Sequence, residues 1–361
     1  MWRSVLGLAL AGCAFQAHEA GQPPDGSTTP DGSDGSDGSG ATAKRRVTLT
    51  FANPRAEALA NFAVLVALDA TRIDYAACPG GANLRFTDPD GAALSYEIER
   101  WDPVGTSIVW MRVPQIDASS TTDFITMHWG DAALTDAQTP AQVWDHAALV
   151  YHLAEDPTFG TKDSTGTHAG TATPQMIAAD LVDGKLGKAV RFDGMGGGIH
   201  APSMMLPRFT WTMWLRADAA PAGTANHEPI TDGDTNFNFA WDHSTPAYVG
   251  ALAMHDTTMW HAAQGTGFAG ATWYLLAGTY DGLQLCLHVD AAAPTCVNAG
   301  SPSTPTALFQ LADATSNVAT FKGILDEVRV YDVARSDLWL DADHASQTDT
   351  LITYGTAVPD L

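Results

Sequence analysis

Phe321-Lys322-Gly323-Ile324-Leu325-Asp326-Glu327-Val328-Arg329-Val330-Tyr331-Asp332 is the stretch that decides the fold. In an extended chain successive side chains point to opposite faces, so Ile324, Asp326, Val328 and Val330 are expected to share one face. That face is apolar except for Asp326. A carboxylate among core residues must be paired, hydrogen-bonded or metal-bound, because burying it bare is costly. The stretch therefore reads as a sandwich strand with a polar anchor.

The same alternation recurs on both sides of it. Phe209, Trp211, Met213 and Leu215 alternate with Thr210, Thr212, Trp214 and Arg216, a strand buried on one side and wetter on the other. Leu149–Leu153 and the doubly apolar Trp273–Tyr280 add further strands. In Leu283–Val289 the leucines take one face and Cys286 the other, and Cys296 follows after the Asp290–Pro294 turn. The two cysteines are thus placed to bridge an antiparallel hairpin, and an oxidising compartment would permit the bond. Cys78 reads as a buried free thiol. Ser336 as N-cap opens a short helix to His344.

Upstream, Arg46–Phe51, Phe62–Leu68, Leu84–Phe86, Leu94–Trp101, Ile108–Val113 and Phe124–Trp129 are short apolar runs. Turns such as Asp88-Pro89-Asp90-Gly91 separate them. The expected organisation is all-β, with two β-sandwich domains at 44–131 and 146–345. A connector at 132–145 joins them, and a peripheral tail at 346–361 follows.

The ends carry a different signal. Arg3, the apolar Val5–Ala11 and then Leu10-Ala11-Gly12-Cys13 look like a bacterial lipoprotein signal at 1–12, with Cys13 as the lipidated residue bearing palmitate-type chains. The apolar run is far shorter than the about 20 residues that a membrane-spanning helix needs. Residues 13–43, with Asp31-Gly32-Ser33-Asp34-Gly35-Ser36, read as a lipid-anchored flexible tether that cannot bury apolar area. The expected location is the bacterial envelope, at the outer membrane or cell surface.

Charge narrows the partners. The chain has 361 residues, 41 acidic against 18 basic, and a formal net charge of −23. It has no Lys/Arg cluster that would offset this for a phosphate backbone, so nucleic acid is excluded.

Four motifs in order carry a resemblance: Ala189-Val190-Arg191-Phe192-Asp193-Gly194, Phe209–Leu215, Trp273–Gly282, and the closing stretch with Ala334-Arg335-Ser336. Residues 146–345 resemble a laminin-G-like, concanavalin A-like jelly roll. Residues 44–131 are similar to the bacterial domain of unknown function 2341, through Leu84-Arg85-Phe86-Thr87-Asp88, Ser95–Trp101 and Trp129-Gly130-Asp131. The jelly-roll resemblance implies one structural Ca2+ at the sandwich flank, with Asp163, Asp193 and Asp326 as candidate ligands. The alternative for Asp326 is that it caps backbone amides in a bulge.

No catalytic residues are assigned, and the chain is expected not to be an enzyme. Glycoside hydrolysis needs two carboxylates at a defined separation. Glu97 and Glu99 share a strand face but read as solvated charges on an exposed edge. His-Glu-x-x-His and Gly-x-Ser-x-Gly are absent from the sequence. Residues 226–262 are rich in aromatic and polar tips, so sugar stacking is chemically reasonable. Trp214, Asn236, Trp241, His243 and Trp260 are the ligand-binding candidates. The expected role is adhesion or carbohydrate binding to a glycan or surface-protein ligand. A structural or protein-interaction subunit is the alternative, and a polysaccharide hydrolase or lyase comes behind both.

Overall fold

The computed structural model describes residues 43–233, 236–244, 247–305, 307–312 and 320–360. The signal at 1–12, the lipidation at Cys13 and nearly all of the tether lie outside the described residues. Six strands come first: β1 (Arg45–Phe51), β2 (Leu59–Leu68), β3 (Arg85–Thr87), β4 (Tyr96–Arg100), β5 (Ser107–Ile116) and β6 (Phe124–Trp129). They coincide with the six apolar runs read from the sequence. The next group is β7 (Ala147–Tyr151), β8 (Thr171–Ala172), β9 (Leu181–Asp183), β10 (Lys188–Asp193), β11 (Ile199–Ala201), β12 (Phe209–Ala217), β13 (Ile230–Asp232) and β14 (Phe237–Ser244). Then come β15 (Ala247–His255), β16 (Trp260–Gln264), β17 (Tyr274–Tyr280), β18 (Gln284–Val289), β19 (Thr295–Asn298), β20 (Phe309–Leu311) and β21 (Lys322–Tyr331). Helix α1 (Asp337–Gln347), β22 (Ile352–Tyr354) and β23 (Val358–Pro359) close the chain.

The first sandwich sets a sheet in the order β22-β1-β6-β3, with β23 also on β1, against the sheet β2-β5-β4. Phe51, Phe62, Val64, Val66, Met111 and Met127 fill the space between. The end of the chain is part of this domain rather than a peripheral tail. Ile352 pairs with Phe51, and Val358 with Arg46. Ser336 caps α1 by accepting from the Trp339 N–H, as its sequence position suggested. Trp339 and Leu340 then enter the first sandwich's core.

The jelly roll packs an eight-stranded sheet, β19-β18-β17-β12-β21-β10-β9 with β7 on β21, against the seven-stranded β16-β15-β14-β13-β20-β11-β8. Its core takes Phe209, Trp211, Met213 and Leu215 from β12 and Phe237, Phe239 and Trp241 from β14. Gly278 stands opposite Trp211, where any β-carbon would collide with the indole. Cys286 and Cys296 pair across β18 and β19 and form the disulfide.

Two expectations change here. Glu327 sits at φ +51 in a bulge where β21 slips against β12. An extra residue in one strand shifts the phase of everything beyond it. Leu325, Val328 and Val330 therefore face the jelly-roll core, while Asp326 and Arg329 face the first sandwich. Asp326 does not share a face with Val328 and Val330.

The second change concerns the outer face of β12, which is not wet. Trp214 is 2% exposed, and its Nε1 donates to Gln347 Oε1 of α1 at 2.7 Å. The sheet β2-β5-β4 is likewise apolar on both sides. Leu65, Ile108 and Trp110 meet Val150, Trp144 and Leu186 across the junction. Residues 41–361 form one compact unit. No helix among the described residues is long and apolar enough to cross a membrane.

Candidate functional site

The outer face of the seven-stranded sheet carries a row of side chains in register. Phe237, Phe239, Leu252, Ile230, Phe309, Leu311 and Ile199 point into the core, so the residues between them point away from it. Thr171 pairs with His200, His200 with Gln310, Gln310 with Thr231, Thr231 with Asn238, Asn238 with Ala253, and Ala253 with Ala262. One row thus crosses all seven strands, polar along one half and small along the other.

Three atoms of that row lack a partner. Thr231 Oγ1, Asn238 Oδ1 and Gln310 Oε1 are buried without a hydrogen bond. The residues are 0%, 7% and 1% exposed. Leaving a buried polar atom unpaired costs about 1–3 kcal/mol. All three are shut off from solvent, so they form a polar seam just beneath the outer face. Gln310 Nε2 lies 3.4 Å from His200 Nε2, which leaves the Gln310 carbonyl oxygen as the open acceptor. At the far end Trp260 is 40% exposed and pairs with His255, whose ring meets it edge-on at 5.3 Å. Gln310 and Trp260 are four strands apart, about 19 Å at the usual strand spacing.

Of the residues singled out from the sequence, Trp260 alone lies exposed on this face. Trp241 is core, 3% exposed, with Nε1 donating to Ala219 O at 3.0 Å. Trp214 is sealed beneath α1. Asn236 is 1% exposed and donates to Met204 O and Asp232 Oδ2, beside a shallow cavity of about 300 Å³ lined by Leu206, Pro207 and Ser303. His243 follows Trp241 in phase, at the end of β14. The five do not converge. Thr231 and Gln310 went unnoticed, although Ile230-Thr231-Asp232 and Phe309-Gln310-Leu311 each show an outward polar residue in a short strand. Their neighbourhood depends on a strand order that joins residues far apart in the sequence.

The candidate calcium ligands do not converge either. Asp163 Oδ1 accepts from Val150 N at 2.9 Å and Thr165 N at 3.0 Å, and its Oδ2 from Thr165 Oγ1, Thr167 N and His168 N. Burial pushes its carboxyl up, but those bonds prevail and hold it below the usual range. Asp193 Oδ1 accepts from Met195 N. Asp193 pairs with Lys322, four residues from Asp326 and so about 13 Å along the strand. Asp326 Oδ2 accepts from Lys185 N and Leu186 N at 2.7 and 2.8 Å, closing the turn between β9 and β10. These residues do not fit one shared calcium ion.

Glu97 and Glu99, expected on a solvated edge, are enclosed between the sandwiches. Their strand is not an edge in space, because β7 and β21 cover it. Glu97 accepts from Trp144 Nε1 at 2.9 Å and Ser164 Oγ at 2.6 Å, and Glu99 from Trp110 Nε1 at 2.8 Å. His152 lies among them, with Nδ1 2.7 Å from Glu327 Oε1. Arg329 bonds Glu327 at 2.5 Å and Asp343 at 3.2 Å, its guanidinium 4.2 Å above the Trp110 ring. Burial raises Glu327, but the charges of His152 and Arg329 bring it down to about 2. Burial and the Glu327 charge push Glu99 and Asp326 well above the carboxylate range. Burial lowers His152, yet Glu327 and Glu99 prevail and raise it.

Residues 193–340 match the concanavalin A-like lectin/glucanases superfamily, and residues 80–155 match the domain of unknown function 2341. The chain carries a concanavalin A-like domain behind a 2341-type domain. The concanavalin A-like domain holds the whole polar row except Thr171, which lies before the matched segment. Solved structures are similar at low identity. Domain 4 of an extracellular GH43 arabinanase from Geobacillus stearothermophilus, in complex with arabinotriose, matches at 20% identity and TM-score 0.44, over 56% of this chain and 100% of that one. The binding domain of botulinum neurotoxin DC in complex with SialylT matches at 8% and 0.41, over 56% of this chain and 52% of that one. No curated protein matches the chain.

Proposed function

We propose that this chain is a non-catalytic envelope protein that binds an extended polysaccharide on the outer face of the concanavalin A-like domain. One observation carries the reading: the indole of Trp260 is 40% exposed on the outer face of the seven-stranded sheet, in phase with the row that crosses all seven strands. The apolar face of a sugar ring stacks on an exposed indole. The superfamily match, which spans lectins and glucanases, supports a saccharide ligand. The non-catalytic part of the reading is supported by the placement of Glu97 and Glu99, whose oxygens are held inside the junction and away from any polymer. Leu10-Ala11-Gly12-Cys13 supports lipid anchoring through Cys13.

Affinity electrophoresis of the full chain through gels containing different polysaccharides tests it. The expected result is retardation by at least one polysaccharide, lost in Trp260→Ala. Equal mobility in every gel would sink the proposal.

A further inference from the structure

The junction between the sandwiches encloses more carboxylates than cations. Glu97, Glu99, Asp326, Glu327 and Asp343 face His152 and Arg329, all with buried side chains. Buried charge without a counter-charge is expensive. The cluster is also not fully bonded. Glu99 Oε1, Asp326 Oδ1 and His152 Nε2 are buried without a hydrogen bond, and the three side chains are between 0% and 8% exposed.

One ligand atom each of Glu99, His152 and Glu327 lies within 4.8 Å of the others. His152 Nδ1 is 3.5 Å from Glu99 Oε2 and 2.7 Å from Glu327 Oε1. Ligands held about 2.0–2.2 Å from a tetrahedral zinc ion are themselves roughly 3.3 Å apart, so small side-chain shifts suffice. The imidazole stacks on Trp110 at 6.2 Å, and its Nε2, without a hydrogen bond, faces Glu97 Oε2 at 3.4 Å. A carboxylate beyond the far ring nitrogen is the usual arrangement around a ligating histidine.

We propose that Glu99, His152 and Glu327 form a binding site for one divalent ion of the zinc class, pinning the first sandwich to the jelly roll. Glu99 comes from β4, His152 follows β7, and Glu327 is the bulge residue of β21, so the ion ties three elements across the junction. One imidazole nitrogen with carboxylate oxygens favours Zn2+ over Ca2+, which takes oxygen ligands. On entry of the ion, the proton that His152 Nδ1 shares with Glu327 leaves to solvent. The bulge acquires a purpose in this reading, because only the slipped phase of β21 sets Glu327 beside His152.

The test uses the full chain, stripped with chelator, equilibrated with Zn2+ or Ca2+ and desalted. The retained metal is counted by mass spectrometry, and the melting temperature is followed in parallel. Expected are one Zn2+ per chain, no Ca2+, and a melting temperature raised by several degrees. Glu99→Gln, which keeps an acceptor for Trp110, should fold and lose the metal together with the shift. Substitution by Co2+ should give a visible absorption band in the parent and none in the variant. The proposal is overturned if no zinc is retained, or if Glu99→Gln retains it equally.

Discussion

Trp214 Nε1 donates to Gln347 Oε1 at 2.7 Å, joining the middle of the jelly roll's larger sheet to the last residue of the helix that closes the first sandwich. The chain leaves the first sandwich at Trp129, builds the jelly roll, and returns to add α1, β22 and β23 to the domain it began with. The first sandwich is not complete without the chain that follows the jelly roll.

Unfolding should therefore show one cooperative transition instead of two. Trp339 packs edge-on against both Phe62 (5.2 Å) and Tyr331 (5.4 Å), one residue from each domain. Trp339→Ala should cost about 3–5 kcal/mol and lower that single transition as a whole. Calorimetry that resolves two independent transitions in the parent chain would contradict this.

Arg329 is the second tie across the junction. Replacing it by Met keeps much of the packing over Trp110 but leaves Asp343 buried without its cation and Glu327 with His152 alone. A loss of about 3–5 kcal/mol in urea unfolding is expected. A loss below 1 kcal/mol would mean that the guanidinium is dispensable.

Acid should loosen the loop held by Asp163. Its carboxyl lies below 3.8 in the folded chain, although burial alone would raise it, because the Thr165 hydroxyl and the Val150 and His168 amides favour the charged form. A depressed carboxyl contributes stability that is present above about pH 4 and is lost as pH falls through the lower folded value. Asp163→Asn should cost about 1–3 kcal/mol at neutral pH and flatten the decline in stability below pH 4. An unchanged acid profile in the variant would show that Asp163 is not its source.

The Cys78 thiol should be inert in the native chain. It is 0% exposed, and burial pushes it up to about 11. Since the thiolate is the reacting species, alkylation at pH 8 should follow global unfolding. Fast labelling of the folded chain would contradict the packing around it.

Much of the fold was legible in local pattern. The six early runs, the Cys286–Cys296 hairpin and the Ser336-capped helix rest on alternation, turn residues and capping, which operate over a few residues. The bulge at Glu327 was not legible. No glycine announces its positive φ, and the strain is held by contacts to His152 and Arg329, distant in sequence or reached only through the fold. One slipped residue then reversed the sides of Val328 and Arg329. The candidate site was half legible: Trp260 and Asn238 lie in the stretch noted for polar and aromatic tips. Gln310 and Thr231 are ordinary residues whose meaning comes from strand order alone.

The central claim is that the outer face of the seven-stranded sheet holds saccharide at Trp260. Titration calorimetry of the full chain with the polysaccharide that most retards it in gels tests this most directly, comparing the parent with Trp260→Ala. The account predicts at least tenfold weaker binding in the variant, about 1.4 kcal/mol or more, with melting temperature little changed because the indole is exposed. Binding of unchanged affinity in the variant would contradict it.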